Sequence, residues 1–365
     1  MAHIVLLGAG HVHLHLIRSC AQLQTAGHVV TVIAPEVFWY SGLASGVVAG
    51  DYPPKLDRID VEALATQAGA TYLRTTAAAI DAGSKTVTTA DGQTVAYDVC
   101  SLNVGSTSDP SRLPGEHPRL YRVKPVRLLF DLSRELDERI ARGEHPNLVV
   151  IGGGVTGAEL ACCFHHRLTR GGGQGIVALV ARRGLTPELP ARGRLALRRH
   201  IERQGIAFYE TGVDRLDIDS VHLADGTRLR ADAVVLATGP RAPAFLAASG
   251  LTCNDANGAV VVDQHLQVVN APGVFAAGDC LHFAPKPLAK IGVFAVREAP
   301  ILIHNLLAFL AGNPLRRFTP QDVFLSILNL GDRRAMAYRG NLLWSGRLAW
   351  WLKDRIDRKW LEMYR

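Results

Sequence analysis

The chain has 365 residues, of which 48% are hydrophobic and 35 are glycine, and its formal net charge is +7. This length exceeds the usual limit of one hydrophobic core, and the apolar content excludes a disordered chain, so we predict an α/β protein of two or three domains. The basic excess fits solubility or attraction to phosphates and anionic membranes. With 7% aromatic residues and no nucleic-acid-binding motif, the chain is predicted to have no nucleic-acid partner.

Targeting and metal-binding signals are missing from the sequence. It begins directly with strand-like residues, AHIVLL, so we predict no secretory signal. The most apolar segment, IGVFAVREAPILIHNLLAFLAG, contains Arg297, Glu298 and Pro300, which argue against a membrane span. Six cysteines, at positions 20, 100, 162, 163, 253 and 280, lack the spacing of a zinc site or a dithiol centre. We therefore predict a cytoplasmic protein without a bound metal.

The first nucleotide-binding unit opens the chain. HIVLLGAGH (3–11) predicts a strand that enters a glycine turn. LIRSCAQLQTAG predicts a helix that ends at Gly27, and HVVTVIAP (28–35) predicts a second strand. This strand–turn–helix–strand order is typical of a Rossmann-like domain.

Three histidines follow the first glycine turn. Gly8 and Gly10 keep the turn that lets the backbone approach a pyrophosphate, but His13 stands at the third glycine of the fingerprint. On a helix that starts after Gly10, His11 and His15 share a face and His13 points elsewhere, so the three do not hold one metal. We interpret the turn as a FAD-binding loop with His11 or His13 near the pyrophosphate.

A second unit repeats the plan. NLVVIGGGVTGAELACCFHHRL (147–168) has the complete spacing Gly152-x-Gly154-x-x-Gly157 between a strand and a helix, and GIVALVARRG (175–184) supplies the next strand. This turn predicts a second dinucleotide site.

The identity of the second nucleotide depends on the residues after the next strand. Ala181 stands where an acidic residue would bind the ribose of NADH, and Arg182 and Arg183 follow it. Arginine accepts the 2′-phosphate of NADPH, so this pattern favours NADPH over NADH. The alternative is that both arginines only face solvent. Glu159, in the motif IGGGVTGAE, is a further predicted residue of the NAD(P)H site.

Later segments connect the two units. SLNVGS and VVLATGP, with Gly105 and Gly239, resemble paired strand–turn signatures at which a chain crosses between flavin and nicotinamide domains. GVFAAGD ends in Gly278 and Asp279, and this carboxylate is well placed to bind the ribityl hydroxyls of a flavin.

We therefore predict a discontinuous first domain. Residues 1–117 and 256–320 form the FAD-binding domain, and residues 118–255 form the inserted NAD(P)H-binding domain. Residues 321–365 form short strands and an amphipathic helix.

The C-terminal helix has two interpretations. Its predicted apolar stripe consists of Leu348, Leu352, Ile356, Trp360 and Met363 or Tyr364. The stripe either packs on the body or a second copy in a homodimer, or makes residues 345–365 an interfacial helix on anionic lipid.

The order of these motifs resembles the two-dinucleotide flavoproteins of the pyridine nucleotide-disulphide oxidoreductase family, which include type II NADH dehydrogenases, sulfide:quinone reductases and the ferroptosis-suppressor oxidoreductase. The resemblance covers nearly the whole chain and implies a glutathione-reductase-like fold of two Rossmann-like domains. More narrowly, GHVH, WYSGLASGVVAGDY, YDVCSLNVGSTS, KIGVFAVREAP and LAWWLKDRIDRKW resemble the subgroup found fused or adjacent to selenide, water dikinase.

The resemblance implies a set of flavin-site residues. FAD would bind Gly8, Gly10 and Asp279, with Glu36 as the ribose ligand although the usual acidic position is Ala34. The residues implied around the isoalloxazine are Tyr40, Ser41, Gly42, Lys124, Lys290, Gly292 and Val293, of which Lys124 and Lys290 are the candidate catalytic residues.

Departures from the relatives bear on the acceptor. The paired cysteines of the disulfide reductases are absent, and Leu160 stands where sulfide:quinone reductases have a reactive cysteine. The glutamines that type II NADH dehydrogenases carry near the quinone are replaced by GVFAVRE.

The resulting hypothesis is a FAD enzyme that takes hydride from NADPH or NADH and passes the electrons to a quinone-like acceptor. We expect it in the cytoplasm or on the inner face of the membrane. The alternatives are a soluble NADPH-dependent reductase of a protein or selenium-linked acceptor, and a non-enzymatic flavin-bound redox-sensing or interaction protein.

Overall fold

The computed structural model describes residues 1–365, except for the side chain of Arg112. Residues 1–102 contain β1 (His3–Leu7), α1 (His11–Arg18), α2 (Cys20–Thr25), β2 (Val29–Ile33), β3 (Val37–Trp39), α3 (Ser41–Ala49), β4 (Arg58–Asp60), α4 (Val61–Gln67), β5 (Thr71–Leu73), β6 (Ala77–Asp81), β7 (Thr86–Thr89), β8 (Thr94–Ala96) and β9 (Val99–Leu102). The middle of the chain contains β10 (Leu120–Arg122), α5 (Arg127–Ala141), β11 (Asn147–Ile151), α6 (Val155–Thr169), β12 (Ile176–Val180), α7 (Ala191–Gln204), β13 (Ala207–Tyr209), β14 (Val213–Asp217), β15 (Ser220–Leu223), β16 (Arg228–Arg230), β17 (Ala233–Leu236) and α8 (Phe245–Ala248). The last part contains β18 (Val260–Val262), β19 (Val274–Ala276), β20 (Leu281–Phe283), α9 (Gly292–Leu310), β21 (Ser326–Asn329), β22 (Ala335–Arg339), β23 (Leu342–Gly346) and α10 (Arg347–Glu362).

Two parallel sheets form the centre of the protein. The first has the strand order β5-β2-β1-β9-β19, and the second has the order β10-β17-β11-β12-β13. Their central strands read as continuous apolar runs, such as NLVVI in β11, because helices cover both faces of a parallel sheet. The two sheets confirm the predicted α/β fold class with two Rossmann-like units.

The chain crosses twice between the two sheets. It leaves the first sheet after β9 and returns after β17 to supply β19. The crossing segments lie side by side, because Thr107 and Arg241 exchange two backbone hydrogen bonds of 2.7 and 2.8 Å. All strands of the second sheet lie between residues 120 and 236. The precise domain bounds stay a prediction.

Helix α9 is the one helix in the described part of the chain that is long and apolar enough to cross a membrane by length and composition. It has 19 residues, and its most apolar stretch of 18 residues has a mean hydropathy of 1.5. Of that stretch, 44% is buried inside the protein. A core helix of a soluble protein passes the same test. Glu298, near the middle of α9, is buried and 1% exposed, so this carboxyl faces the interior of the protein.

Helix α10 buries only part of its predicted apolar stripe. Leu348 and Ile356 are 72% and 45% exposed, so the interpretation in which the stripe packs on the protein does not hold at these positions. The buried face carries Ala349, Asp357, Trp360 and Leu361. A polar residue can occupy this face because it finds partners there: the Nζ of Lys353 lies 2.7 Å from the Oδ2 of Asp357. The helix packs on the antiparallel sheet β21-β22-β23 and on α3.

Candidate functional site

The first glycine turn connects β1 to α1. Gly8 adopts φ +82°, and a side chain there would bring its Cβ to 2.5 Å from the carbonyl oxygen of Asn103. A Cβ on Gly10 would collide with the side-chain oxygen of the same asparagine. Only glycine fits both positions, as expected for a turn at which the backbone must approach a pyrophosphate. The turn therefore fits the diphosphate of FAD.

Asn103 holds this turn from inside the protein. Its side chain is buried, and its Oδ1 accepts hydrogen bonds from the amides of Val12 and His13, at 3.1 and 3.2 Å. Its Nδ2 donates to the carbonyl oxygen of Ala277 at 2.7 Å. One amide group thus joins the start of α1 to the segment that follows β19. No sequence motif identifies Asn103 as a site residue, although its place directly after the strand VCSL is a usable signal.

The three histidines have separate environments. His13 is fully buried, with Nδ1 2.6 Å from the Gly8 carbonyl oxygen and Nε2 2.8 Å from the Ser101 hydroxyl. It therefore supports the turn from the interior and does not face a ligand. His11 lies among aromatic rings at the other side of the turn, and His15 contacts Tyr364. Burial lowers the pKa of both His11 and His13 to about 4, so both rings are neutral at pH 7. No group of three possible metal ligands occurs among the described residues.

Asp279 lies in a charged cluster at the carboxyl end of the first sheet. Its Oδ2 accepts hydrogen bonds from the Ser106 hydroxyl, at 3.1 Å, and from the Lys124 ammonium. Burial by itself raises the pKa of Asp279, but the Lys124 ammonium, together with His11 and the Ser106 hydroxyl, outweighs burial and holds this pKa below its ordinary value. The group is therefore an ionised acceptor, as a ligand of flavin hydroxyls must be. The predicted residues Lys124 and Asp279 lie together.

The N-terminus of α9 meets that of α1. Gly292 is the first residue of α9, and a Cβ on it would lie 3.5 Å from the Nε2 of His11. Val293 follows it in the first turn. The converging helix ends present their partial positive charges to the same space. This space is where the resemblance places the flavin.

Lys290 and Glu298 border a cavity beside Asp279. The cavity is small, with space for about one water molecule, and all three residues line it. Lys290 donates to the Leu281 carbonyl, and burial lowers its pKa. Glu298 accepts from the Gly278 amide at 2.6 Å, and burial raises its pKa to about 7. Glu298 was missed as a site residue, although a glutamate inside an apolar helix was a visible signal.

The residues after β2 lie beneath the C-terminal helix. Glu36 is half-exposed and pairs with Arg74 and, at 3.7 Å, with Arg58. The ring of Tyr40 stacks on Trp360, with centroids 4.2 Å apart and planes 14° from parallel. Ser41 begins α3.

A polar network continues from Tyr40 into α10. The hydroxyl of Tyr40 donates to Asp357 at 2.8 Å, and the Lys353 ammonium donates to the carbonyl of Gly42. Asp57 lies next to this network, and both of its buried carboxyl oxygens lack a hydrogen-bond partner among the described residues. Burial, reinforced by the negative charge of Asp357, raises the pKa of Asp57 to about 9. Helix α10 thereby brings ionisable groups to Tyr40 and Gly42, two of the residues predicted to lie around the flavin.

The second glycine turn connects β11 to α6. Gly152 adopts φ +130°, and a Cβ on it would collide with the Ala237 carbonyl. A Cβ on Gly157 would collide with the carbonyl of Gly152, so this glycine lets α6 pack closely on the turn. Gly154 is the N-cap of α6. This turn fits the diphosphate of a second dinucleotide.

The other predicted NAD(P)H residues lie in two places. Arg182 and Arg183 are exposed just after β12, next to the buried Ala181. Glu159 has the contacts of a structural carboxyl: its Oε1 accepts from the Ser45 hydroxyl at 2.8 Å and from the Asn329 amide at 2.9 Å. It thus joins α6 to α3 and β21. These hydrogen bonds satisfy the carboxyl oxygen in its partly buried position.

The crossing turns leave open space. Gly105, at φ +70°, follows β9, and Gly239 follows β17; apart from the adjoining residues of the chain, no atom of the described residues lies within 4 Å of a Cβ built on either. Gly278, at φ +72°, packs against the Asn103 amide.

Comparisons with known proteins agree with this geometry. The profile of the family described as pyridine nucleotide-disulphide oxidoreductase matches residues 2–300. An NADH dehydrogenase-like protein of Mycobacterium tuberculosis is 30% identical over 226 residues, which are 58% of this chain and 55% of that protein. Ferroptosis suppressor protein 1 of Taeniopygia guttata is 25% identical over 267 residues, 69% of this chain and 67% of that protein. The chain thus spans about half the length of the mycobacterial relative.

A solved structure shares the fold over the whole chain. The sulfide:quinone oxidoreductase of Aquifex aeolicus superposes with a TM-score of 0.83 and covers 100% of this chain and 92% of that one. The two sequences are 17% identical, so this likeness shows the fold alone.

The first prediction concerns Asn103. We expect Asn103→Asp to reduce the FAD content of the purified protein, because a buried carboxylate would replace the amide that donates to the Ala277 carbonyl. We expect a loss of about 3 kcal/mol in the free energy of unfolding. Flavin absorbance per protein and denaturant unfolding measure the two effects. Asn270→Asp is the matched control, because Asn270 makes the same pair of bonds, to the Thr252 amide and the Gly250 carbonyl, at an exposed site. Equal effects of both substitutions would contradict the role of Asn103.

The second prediction concerns Asp57 and pH. The pKa of Asp57 is about 9 in the folded state, above that of an unfolded aspartate. At a pH between these two pKa values, Asp57 is therefore protonated in the folded state and ionised in the unfolded state. This contribution to stability is complete at low pH and is lost as the pH rises toward 9. We expect Asp57→Asn to stabilise the protein by an amount that grows from pH 5 to pH 8, at up to ~1.4 kcal/mol per pH unit. The free energy of unfolding of wild type and variant, measured at several pH values, tests this prediction. The substitution Asp255→Asn, at an exposed position, is the control. A constant difference between the variant and the wild type across this range would refute it.

Proposed function

The chain belongs to the pyridine nucleotide-disulphide oxidoreductase family, and from this premise we propose that it is a FAD-dependent oxidoreductase that passes electrons from NAD(P)H to a quinone-like acceptor. The observation that carries the proposal is the pair of glycine turns, each closed against a strand-end carbonyl, at the carboxyl ends of two parallel sheets. Bound FAD would supply a centre that accepts a hydride and passes its two electrons on to the acceptor.

Residues around the first turn would bind the cofactor and shape its electrostatics. The ionised Asp279 would accept hydrogen bonds from hydroxyl groups of FAD, and Lys124 holds this carboxylate in place. Lys124, Lys290 and the N-terminus of α9 present positive charge where a reduced flavin is negative. Catalysis is thus mainly positioning of the nicotinamide against the flavin.

The reaction balances with one proton from solvent. NAD(P)H gives up a hydride, which carries two electrons and one proton. A quinone takes up two electrons and two protons, so the second proton enters from water. The name of one similar protein, the NADH dehydrogenase-like relative, supports this choice of donor.

Helix α10 supports a peripheral membrane contact. Its outer side exposes Leu348, Trp351 and Ile356, which are 72, 52 and 45% exposed. The Arg355 guanidinium lies 5.7 Å from the Trp351 ring centroid. Exposed apolar side chains flanked by cations fit an anionic lipid surface. The cytoplasmic location, the homodimer and the link to selenide, water dikinase stay predictions from the sequence.

The central test is stepwise reduction of the FAD-loaded protein. We expect NADPH to bleach the flavin under anaerobic conditions and a soluble quinone to restore its absorbance, each within the turnover time. Absence of bleaching with either nicotinamide would contradict the proposal and favour a non-enzymatic flavoprotein. Bleaching without reoxidation by quinone would favour a reductase of another acceptor.

The preference for NADPH is tested at the arginines. We expect the double substitution Arg182→Ala and Arg183→Ala to raise the KM for NADPH about tenfold, because the 2′-phosphate loses charge-assisted hydrogen bonds. The KM for NADH should stay unchanged. Arg199→Ala with Arg203→Ala, on the exposed side of α7, is the control for net charge. If the arginines only face solvent, the two double variants will behave alike.

Liposome flotation tests the membrane contact. We expect substitution of Leu348, Trp351 and Ile356 by serine to abolish flotation with vesicles that contain anionic lipid. The control replaces Leu195, Ile218 and Val269, which are 51, 77 and 50% exposed elsewhere on the surface. Flotation of the α10 variant at the level of the wild type would refute docking through this helix.

A further inference from the structure

We propose that Glu188 competes with the diphosphate of NAD(P)H for the N-terminus of α6, so that the nucleotide must displace this side chain in order to bind. The inference rests on the NAD(P)H site of the proposed function. It assigns to Glu188 a control of nucleotide affinity.

The loop between β12 and α7 folds over the second glycine turn. The Thr186 amide donates to the Gly153 carbonyl at 2.6 Å, and the Gly184 carbonyl occupies the space that a Cβ on Gly153 would need. The loop thereby brings the Oε1 of Glu188 to 2.6 Å from the amide of Val155, the first residue of α6. A carboxylate of this chain therefore occupies the position at which a bound diphosphate would accept hydrogen bonds.

The electrostatics of α6 explain why the carboxylate lies there. This helix has 15 residues and no acidic residue in its first turn, so its positive end lacks an anion from within the helix. Glu188 supplies one from outside. A dinucleotide diphosphate carries negative charge to the same amides, so the two anions repel each other and cannot both accept from Val155.

The two glycine turns differ in this respect. At α1 the first-turn amides of Val12 and His13 are satisfied by Asn103, a neutral side chain that is 3% exposed and lies inside the protein. At α6 the amide of Val155 is satisfied by a charged side chain on the exposed side. Val155 is the first residue of its helix, whereas Val12 and His13 are the second and third of theirs. At the second turn an anion of the protein itself therefore occupies the leading amide, on the side open to solvent.

The loop that carries Glu188 is held at an energetic cost. Thr186 adopts φ +42°, which β-branched residues rarely do. Its hydroxyl oxygen is buried and has no hydrogen-bond partner in the part of the chain that the structure describes. Strain of this kind is common at ligand clamps and switch regions, which agrees with the proposed displacement of Glu188.

Binding of NADP⁺ to the FAD-loaded protein tests the inference without turnover. Glu188→Gln keeps a side-chain oxygen for the Val155 amide but removes the charge, and Glu188→Ala removes both. We expect calorimetry to show tighter binding by about threefold for Gln and about tenfold for Ala, as a helix-end charge interaction implies. The KM for NADPH should fall by the same factors, with the maximal rate of flavin bleaching unchanged. Glu202→Gln, an equal charge change on the exposed side of α7, is the control.

The outcomes separate this inference from the proposed function. Wild-type affinity in both Glu188 variants would show that the carboxylate is only a helix cap and would overturn the inference. Weaker binding in the Ala variant would show a ligand of the nucleotide and would also overturn it. In both cases the wild type still binds NADP⁺ and is bleached by NADPH. Failure of the wild type to bind either nicotinamide nucleotide would refute the proposed function and this inference together.

Discussion

The buried amide of Asn103 is the contact on which the first dinucleotide site depends. A buried polar group must find partners, and this one uses both its donor and its acceptor. Aspartate lacks the donor and leucine lacks both functions, so asparagine is the short side chain that suits the position. The contact fixes the helix start after Gly10 to the Ala277 segment, although more than half of the chain separates them. The position of Asp279, two residues beyond Ala277, follows from this attachment.

Helix α10 adds a second constraint on the same region. The ion pair of Lys353 and Asp357 is buried, and burial of two charges costs free energy that their attraction barely offsets. Further bonds, from Tyr40 to Asp357 and from Lys353 to the Gly42 carbonyl, satisfy the remaining polar atoms. The pair thus contributes more to the placement of the helix than to stability. The opposite side of α10 exposes Trp351. One helix therefore connects the segment around Tyr40 and Gly42 to the proposed lipid surface.

Local patterns were sufficient to predict the architecture. A glycine turn between an apolar strand and a helix is encoded in consecutive residues, and two such units predict two parallel sheets. Contacts between distant segments were not predictable in this way. The amphipathic pattern of α10 left two orientations of its apolar stripe open, because the partners of Lys353 and Asp357 lie more than 300 residues away, directly after β3 and in the first turn of α3. These tertiary contacts place Lys353 and Asp357 on the protein side of the helix beside the apolar Trp360, an arrangement that the hydrophobic pattern alone does not predict.

The predicted site residues also differ in whether their environment is set by neighbouring residues or by distant ones. Gly8, Gly152 and Asp279 lie where the motifs place them, because the motif itself contains the turn. Glu159 belongs to a motif as well, but its partners come from α3 and β21, and they make it a structural carboxyl. Asn103 and Glu298 act through groups far along the chain, and no spacing rule reveals such partners.

The difference between the two turns has a functional logic. FAD stays bound through many turnovers in an enzyme of this kind, whereas NAD(P)H must arrive and its oxidised form must leave in each one. A neutral amide held inside the protein satisfies the helix start of the first turn and leaves its outer side to a resident cofactor. An exposed carboxylate at the second turn lowers affinity and takes the vacated amide when the nucleotide leaves. Weak binding of a transient substrate suits rapid exchange, because binding that is equally strong in all states does not raise the maximal rate.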